Sequence, residues 1–205
     1  MVSRNPFLTL IVTGVPGVGK TTVLREVSKI LEERKVKHLV LNFGDFMLIA
    51  GKRLGLVEHR DQIRHLPLRR QLELQEEAAK AIVEEASSKL DESGVLLVDT
   101  HAIIRTSTGY WPGLPFGVVS VLKPDSIVVV ESKPEEILAR QMRDKSRYRA
   151  DMSDIEIIKE LLEIARSAAI ASAVLVASSV YIVYNVEGDP SIAARKIVEL
   201  IEKLR

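Results

Sequence analysis

Apolar residues in this chain come in short unbroken runs separated by longer charged stretches, and the two kinds of segment alternate from end to end. The runs at residues 7–13, 38–43, 95–98, 127–130 and 180–184 are rich in Val, Ile and Leu and contain few polar positions. A strand with one wet face alternates apolar with polar residues, so a continuous run marks a strand covered on both faces. Between the runs, residues 20–35, 68–90, 134–143, 154–177 and 190–204 read as helices. Pro134 and Pro190 each follow a candidate strand and suit a first helical turn, where the missing N–H loses no bond. This alternation predicts an α/β fold, a doubly wound five-stranded parallel sheet. No repeat, low-complexity tract or linker interrupts it, so residues 1–205 are expected to form a single domain.

Two stretches fit poorly as scaffold and are expected to be loops. Residues 44–67 carry Asp45, Lys52, Arg53, His59, Arg60 and Arg64. Residues 106–117, TSTGYWPGLPFG, concentrate glycine, proline and aromatic side chains. Long loops retained in a compact domain are usually functional. The uncharged run at 167–186 is long enough to span a bilayer. Its serines, and its change at Ser178-Ser179 from Ala-rich to β-branched, read instead as a buried helix followed by a buried strand. The apolar run after Arg4 is too short for a signal peptide and lacks a cleavage pattern. A cytoplasmic protein with no membrane partner is expected.

Composition narrows the chemistry. Lys+Arg 29 against Asp+Glu 28 gives a net charge of +1, with no basic stripe for nucleic acid. The absence of cysteine excludes disulfides, thiol catalysis and Cys-ligated zinc. Few Asn and Gln beside abundant charge lean toward a thermophilic source.

The sharpest local signal is Gly14-Val15-Pro16-Gly17-Val18-Gly19-Lys20-Thr21, a full G-x-x-x-x-G-K-[ST] pattern (Walker A) between a candidate strand and a candidate helix. Glycines let backbone N–H groups turn inward into a concave anion nest. Lys20 brings an ammonium to the β and γ phosphates of a nucleotide, and Thr21 offers a hydroxyl to Mg²⁺. The helix N-terminus adds partial positive charge. Asp99 ends the apolar run at 95–98, the place where such proteins keep a carboxylate for the metal. Ligands of open α/β sheets bind at that edge, so Asp99 should face Lys20 and Thr21.

The loop specifies nucleotide binding and leaves the reaction open. Residues 140–149, RQMRDKSRYR, add five basic side chains in ten positions. Phosphoryl transfer needs positive charge on the equatorial oxygens, alignment and exclusion of water, and an arginine-bearing lid supplies all three. A phosphate acceptor is already ionised near neutral pH, so no catalytic base is needed, and none is evident. The four histidines lack metal-ligand spacing and read as structural or peripheral.

On these residues the whole chain resembles the archaeal adenylate kinase family of nucleoside monophosphate kinases. The resemblance is carried by VTGVPGVGKTTVL at 12–24, NFGDFML at 42–48, RDQIRHL at 60–66, DTHAIIRTSTGYWPGLP at 99–115, RQMRDKSRYRADMSD at 140–154 and NVEGDPSIAA at 185–194. It implies Mg²⁺-dependent interconversion of ATP and AMP with two ADP, and a homotrimer. By position it implies that residues 14–22 (Gly14 to Thr21, then Thr22) wrap the ATP phosphates. Arg140 and Arg143 resemble the first lid arginines, and Arg147, Arg149 and Arg166 those that clamp the transferring group. Asn185, Gly188 and Pro190 belong to the loop under the ATP adenine. On the acceptor side Asp45, Arg60 or Arg64, and Arg105 match the AMP site, within a segment at about 44–67, and a short lid is placed at about 140–151. The sequence departs from many adenylate kinases at Leu48, where an arginine is common, and has no inserted lid subdomain. Two alternatives stay open: a kinase for another nucleoside monophosphate, and a binding protein that uses ATP as a conformational signal. A GTPase switch is disfavoured because no Asn-Lys-x-Asp segment occurs.

Overall fold

A computed structural model of the chain describes residues 3–106, 109–143 and 154–205. Strand β1 (Leu8–Thr13) leads through the glycine loop into α1 (Lys20–Glu33), and β2 (His38–Asn42) follows. Next come α2 (Phe43–Arg53), a 3₁₀ turn at Arg60–His65 and the long α3 (Leu68–Lys89). Strand β3 (Val95–Asp99) precedes a hairpin of β4 (Ile103–Thr106) and β5 (Gly109–Pro112), then α4 (Phe116–Leu122). Strand β6 (Ser126–Glu131), α5 (Pro134–Arg143), α6 (Ile155–Leu175), β7 (Ser179–Tyr184) and α7 (Pro190–Leu204) complete the chain.

The five-stranded parallel sheet forms as expected, in the order β2-β3-β1-β6-β7. The unbroken apolar runs have a direct cause in its two covered faces. Successive strand residues point to opposite sides. Leu10, Val12, Leu97, Val128 and Val130 join α1 and α7 in one core layer. Ile11, Leu96, Val98, Ile127 and Val129 join α3 and α4 in the other. Helix α6 serves both, giving Ile158, Leu161 and Ala165 to the first and Ala169 and Ala173 to the second.

Strand β1 is central, with Val12 beside Asp99 on β3 and beside Val128 on β6. The chain passes to the β2-β3 side of β1 first and to the β6-β7 side afterwards. The order therefore reverses at the carboxyl end of β1, the crevice where open α/β sheets bind ligands. The glycine loop begins there.

Two local expectations fail. Residues 44–67 are not a plain loop: Phe43, read as the end of a strand, starts α2 instead. The reason is Asn42, whose Oδ1 accepts the N–H of Asp45 at 3.3 Å and caps the helix, while Lys52 and Arg53 sit in its last turn. Beneath α2, Ala50, Val57, Ile63 and Leu74 form a small satellite core. Residues 106–117 likewise contain the end of a hairpin and the start of α4, with strands of 4 residues each.

Candidate active site

The site grows from the carboxyl edge of the sheet. Gly14 packs so closely on β6 that a Cβ there would lie 2.5 Å from the Val130 carbonyl oxygen. Gly19 precedes α1 with φ 91°, a left-handed conformation that a side chain resists. Lys20 starts α1 and is only 8% exposed. Its ammonium lies 3.3 Å from the Gly14 carbonyl oxygen and 3.8 Å from Asp99 Oδ1. Thr21 and Thr22 are exposed in the first helical turn.

A polar chain runs from Lys20 toward the 44–67 segment. Asn42 Nδ2 donates to Asp99 Oδ2 at 3.0 Å, and Asn42 Oδ1 accepts from Arg60 Nη2 at 3.1 Å. Arg60 Nη1 also pairs with Asp45 Oδ1 at 3.0 Å, and its guanidinium lies against Gly44, where a Cβ would collide with it. Arg60 is thereby built into the crevice, whereas Arg64 makes an exposed pair with Asp61 at 3.1 Å. Arg105 is exposed on β4 opposite Tyr110 of β5. Burial, and then a hydrogen bond to Glu160, push the Tyr110 phenol above its ordinary range.

The other flank is formed by α5 and the turn after β7. Arg140 donates Nη1 to the Val18 carbonyl at 3.0 Å and pairs through Nε with Glu187 at 2.6 Å. Arg143 donates Nη2 to the same Glu187 at 2.9 Å. Hydrogen bonds from Arg143 and Arg140 hold the Glu187 carboxyl below its ordinary range. Asn185 is buried and donates Nδ2 to the Val18 carbonyl at 2.8 Å. Gly188 makes its turn at φ 82°, and Pro190 opens α7 behind the Asp189 cap. Arg166 forms a bidentate pair with the buried Glu131 at the end of β6, at 2.8 and 2.6 Å. That pairing raises the guanidinium's proton affinity. Arg147 and Arg149, with most of the 140–151 lid segment, lie outside the described residues.

Sequence reasoning missed several side chains. His101, read only as structural or peripheral, places Nδ1 2.8 Å from the Gly14 carbonyl oxygen and 3.4 Å from the Lys20 ammonium. Gln141 donates Nε2 to the Pro16 carbonyl at 2.7 Å. Asn42 and Glu187 tie elements together. The only signal available was proximity to a motif: His101 stands two residues after Asp99, and Gln141 beside Arg140.

Thr21 and Asp99 offer a hydroxyl and a carboxylate, the hard oxygen donors that magnesium takes. Among the described residues, no group of three or more His, Cys, Asp or Glu is arranged to hold a metal. Magnesium fits such a sparse set, because it keeps waters and substrate phosphates as most of its ligands.

A glycine loop at the switch point of a parallel sheet, with a lysine and a strand-end carboxylate behind it, defines a P-loop nucleotide-binding protein. The model of a family described as AAA domain matches residues 13–159. An adenylate kinase of Sulfurisphaera tokodaii is 53% identical over 188 residues, 92% of this chain and 96% of the relative. One from Methanopyrus kandleri is 42% identical over 195 residues, 95% and 98% of the two chains. Among solved structures, shikimate kinase from Acinetobacter baumannii superposes with a TM-score of 0.57 at 19% identity, covering 96% of this chain and 94% of that one. TT1252 from Thermus thermophilus gives 0.59 at 14% identity, covering 96% and 97%. These two likenesses concern the fold. On the sequence relatives, the chain belongs to the adenylate kinase family.

The Glu131–Arg166 pair yields a prediction. Removing the arginine leaves a buried carboxylate uncompensated. The guanidinium side chain is 44% exposed, so water screens part of the loss and Arg166→Met is expected to cost about 1–3 kcal/mol. Combining it with Glu131→Gln should recover most of that stability, as measured by urea denaturation of the two variants. A catalytic role for Arg166 would show as activity that the double variant does not regain.

Proposed function

We propose that this protein catalyses the reversible transfer of a phosphoryl group from ATP to AMP, giving two ADP, with magnesium. The single observation that carries the reading is the polar chain Lys20–Asp99–Asn42–Arg60. It links the phosphate-binding loop to a buttressed arginine on the segment expected to receive AMP, so donor and acceptor phosphates would share one rigid edge. The adenylate kinase relatives supply the nucleotide identity.

In this reading the loop at residues 14–22 wraps the phosphates of ATP. Lys20, already near the sheet edge, would exchange the Gly14 carbonyl for the β and γ oxygens. Charge that grows on the transferring group is met by a preorganised, largely buried ammonium. Arg60, with Arg105 and Asp45, orients AMP, whose phosphate is ionised and attacks without a base. Arg64 sits at the rim. Arg140 and Arg143 anchor the lid stem, and Arg147 and Arg149 close over both nucleotides. Magnesium would be held by Thr21 and Asp99 and would neutralise charge on the β and γ phosphates. Asn185, Gly188 and Pro190 shape the turn beneath the adenine.

The functional unit is a single domain that works as a homotrimer in the cytoplasm of a thermophile. On α6 most apolar residues face the core, but Ile170, Val174 and Leu175 are 45%, 76% and 55% exposed. The neighbouring edge strand β7 adds exposed Ile182 and Tyr184 and has no charged residue. An uncharged sheet edge beside an apolar helix strip favours coverage by another subunit. Among the described residues no helix is long and apolar enough to cross a membrane.

Three outcomes are expected. In an assay with ATP plus AMP that separates ADP formation from ATP hydrolysis, Lys20→Ala should lower turnover about a hundredfold or more, roughly 3 kcal/mol of barrier. Near-normal turnover in the folded variant would remove the assignment. Arg147→Ala and Arg149→Ala should each lower turnover steeply while ATP affinity stays within a few-fold, and lysine should rescue poorly because it lacks the planar fork. Light scattering at micromolar protein should give about three times the 22.8 kDa chain mass; a monomer would refute the trimer.

A further inference from the structure

The phosphate-binding loop is held from behind by side chains that reach it from three other parts of the chain. His101 Nδ1 lies 2.8 Å from the Gly14 carbonyl oxygen. Gln141 Nε2 lies 2.7 Å from that of Pro16. Asn185 Nδ2 lies 2.8 Å from that of Val18, which also receives Arg140 Nη1 at 3.0 Å. A carbonyl oxygen can only accept, so His101 carries its proton on Nδ1 and both amides present their NH₂ groups to the loop.

The spacing has a geometric consequence. The three carbonyls belong to alternate residues, and a trans peptide points its C=O and the following N–H in opposite directions within one plane. Pulling the carbonyls of Gly14, Pro16 and Val18 outward turns the N–H groups of Val15, Gly17 and Gly19 the other way. Three inward N–H groups along one turn are the components of an anion nest. A second observation sets Gln141 and Asn185 apart from ordinary packing. Among the described residues, Gln141 Oε1 and Asn185 Oδ1 are buried without a hydrogen-bond partner. Each amide therefore leaves its oxygen unsatisfied, at a cost, while its nitrogen holds the loop.

We propose that Gln141 and His101, together with Asn185, are positioning residues for phosphate binding, which fix the peptide planes of the loop before nucleotide arrives. The inference rests on the reading of residues 14–22 as the ATP phosphate site. His101 has a further task. The Gly14 carbonyl is shared by Lys20 at 3.3 Å, so when Lys20 moves to a phosphate the imidazole keeps that oxygen satisfied and the departure loses less. Gln141 lies on α5, the stem of the lid segment, and His101 lies just before the β4–β5 hairpin that carries Arg105. Donor-site geometry is thus set from both neighbouring elements.

The test uses the full chain and inorganic tripolyphosphate, which offers the phosphate chain without the base. Gln141→Met keeps length and packing but loses the donor; His101→Leu loses it too. His101→Asn restores a donor nitrogen three bonds from Cα, as in the ring. Gln141→Met and His101→Leu are each expected to raise the tripolyphosphate inhibition constant and the KM for ATP about tenfold, the equivalent of one hydrogen bond. The KM for AMP should stay within about twofold and the thermal midpoint near that of the parent, since each bond is one among many that hold the fold. His101→Asn should bind tripolyphosphate nearly as the parent does. Unchanged tripolyphosphate binding in both Gln141→Met and His101→Leu, with binding lost in Lys20→Ala, would overturn the proposal and leave the loop's role standing. Undiminished binding in Lys20→Ala would overturn the loop's role and this proposal with it.

Discussion

The architecture around the crevice is organised by one buried cation. Lys20 keeps its ammonium at 8% exposure, and an unpaired charge in such a place costs several kcal/mol. The fold answers with the Gly14 carbonyl on one side and Asp99 on the other. Asp99 is in place because β3 pairs with β1 in the register that sets it beside Val12, and Asn42 because β2 pairs with β3 one strand further out. Three strands must therefore align to within one residue for the ammonium to be compensated. A register slip would also turn Val98 and Leu97 to the wrong faces, so the core and the charge enforce the same alignment.

The neighbouring arginines follow a different rule. Arg140, Arg143, Arg60 and Arg166 are each engaged by a carboxylate: Glu187 holds the first two, and Asp45 and Glu131 the others. These pairs offset the positive charge that the arginines bring to the edge of the crevice. For the exposed Arg143 and Arg60 the exchange of a carboxylate for a phosphate is cheap, because water already screens much of the attraction, whereas Arg140 is largely shielded. The Glu131–Arg166 pair has a buried carboxylate and resists the same exchange. The arginines that sequence groups together thus differ in how readily they can be recruited.

Much of this was legible in the sequence. The five unbroken runs predicted the parallel strands because burial on both faces suppresses alternation, and the glycine loop and Asp99 announced themselves through spacing. What stayed hidden was decided by single side chains. Asn42 reads as one more strand residue until its amide caps α2, and the 4-residue strands of the hairpin are too short to carry a pattern. His101 and Gln141 gave no signal beyond their nearness to a motif, because their partners are backbone carbonyls 87 and 125 residues away, which no local spacing encodes. Arg60 and Arg64 were equivalent by position; Asn42, Asp45 and a neighbouring glycine distinguish them.

The same long separations bear on how the chain acquires its shape. Asn185 reaches the Val18 carbonyl across 167 residues, and β1 cannot find β6 until residue 126 exists. Pairings this distant in sequence form slowly, since a large loop must close before any contact rewards it. The glycine loop, encoded near the start, therefore gains its Asn185 contact only once the distant end of the chain has docked. A phosphate-bearing ligand that needs the rigid form binds the finished fold and not its precursors, and by mass action draws the equilibrium toward it. A ligand bound at this loop would thus stabilise contacts far from it in sequence, and its depletion would enlarge the fraction of chains that lack them.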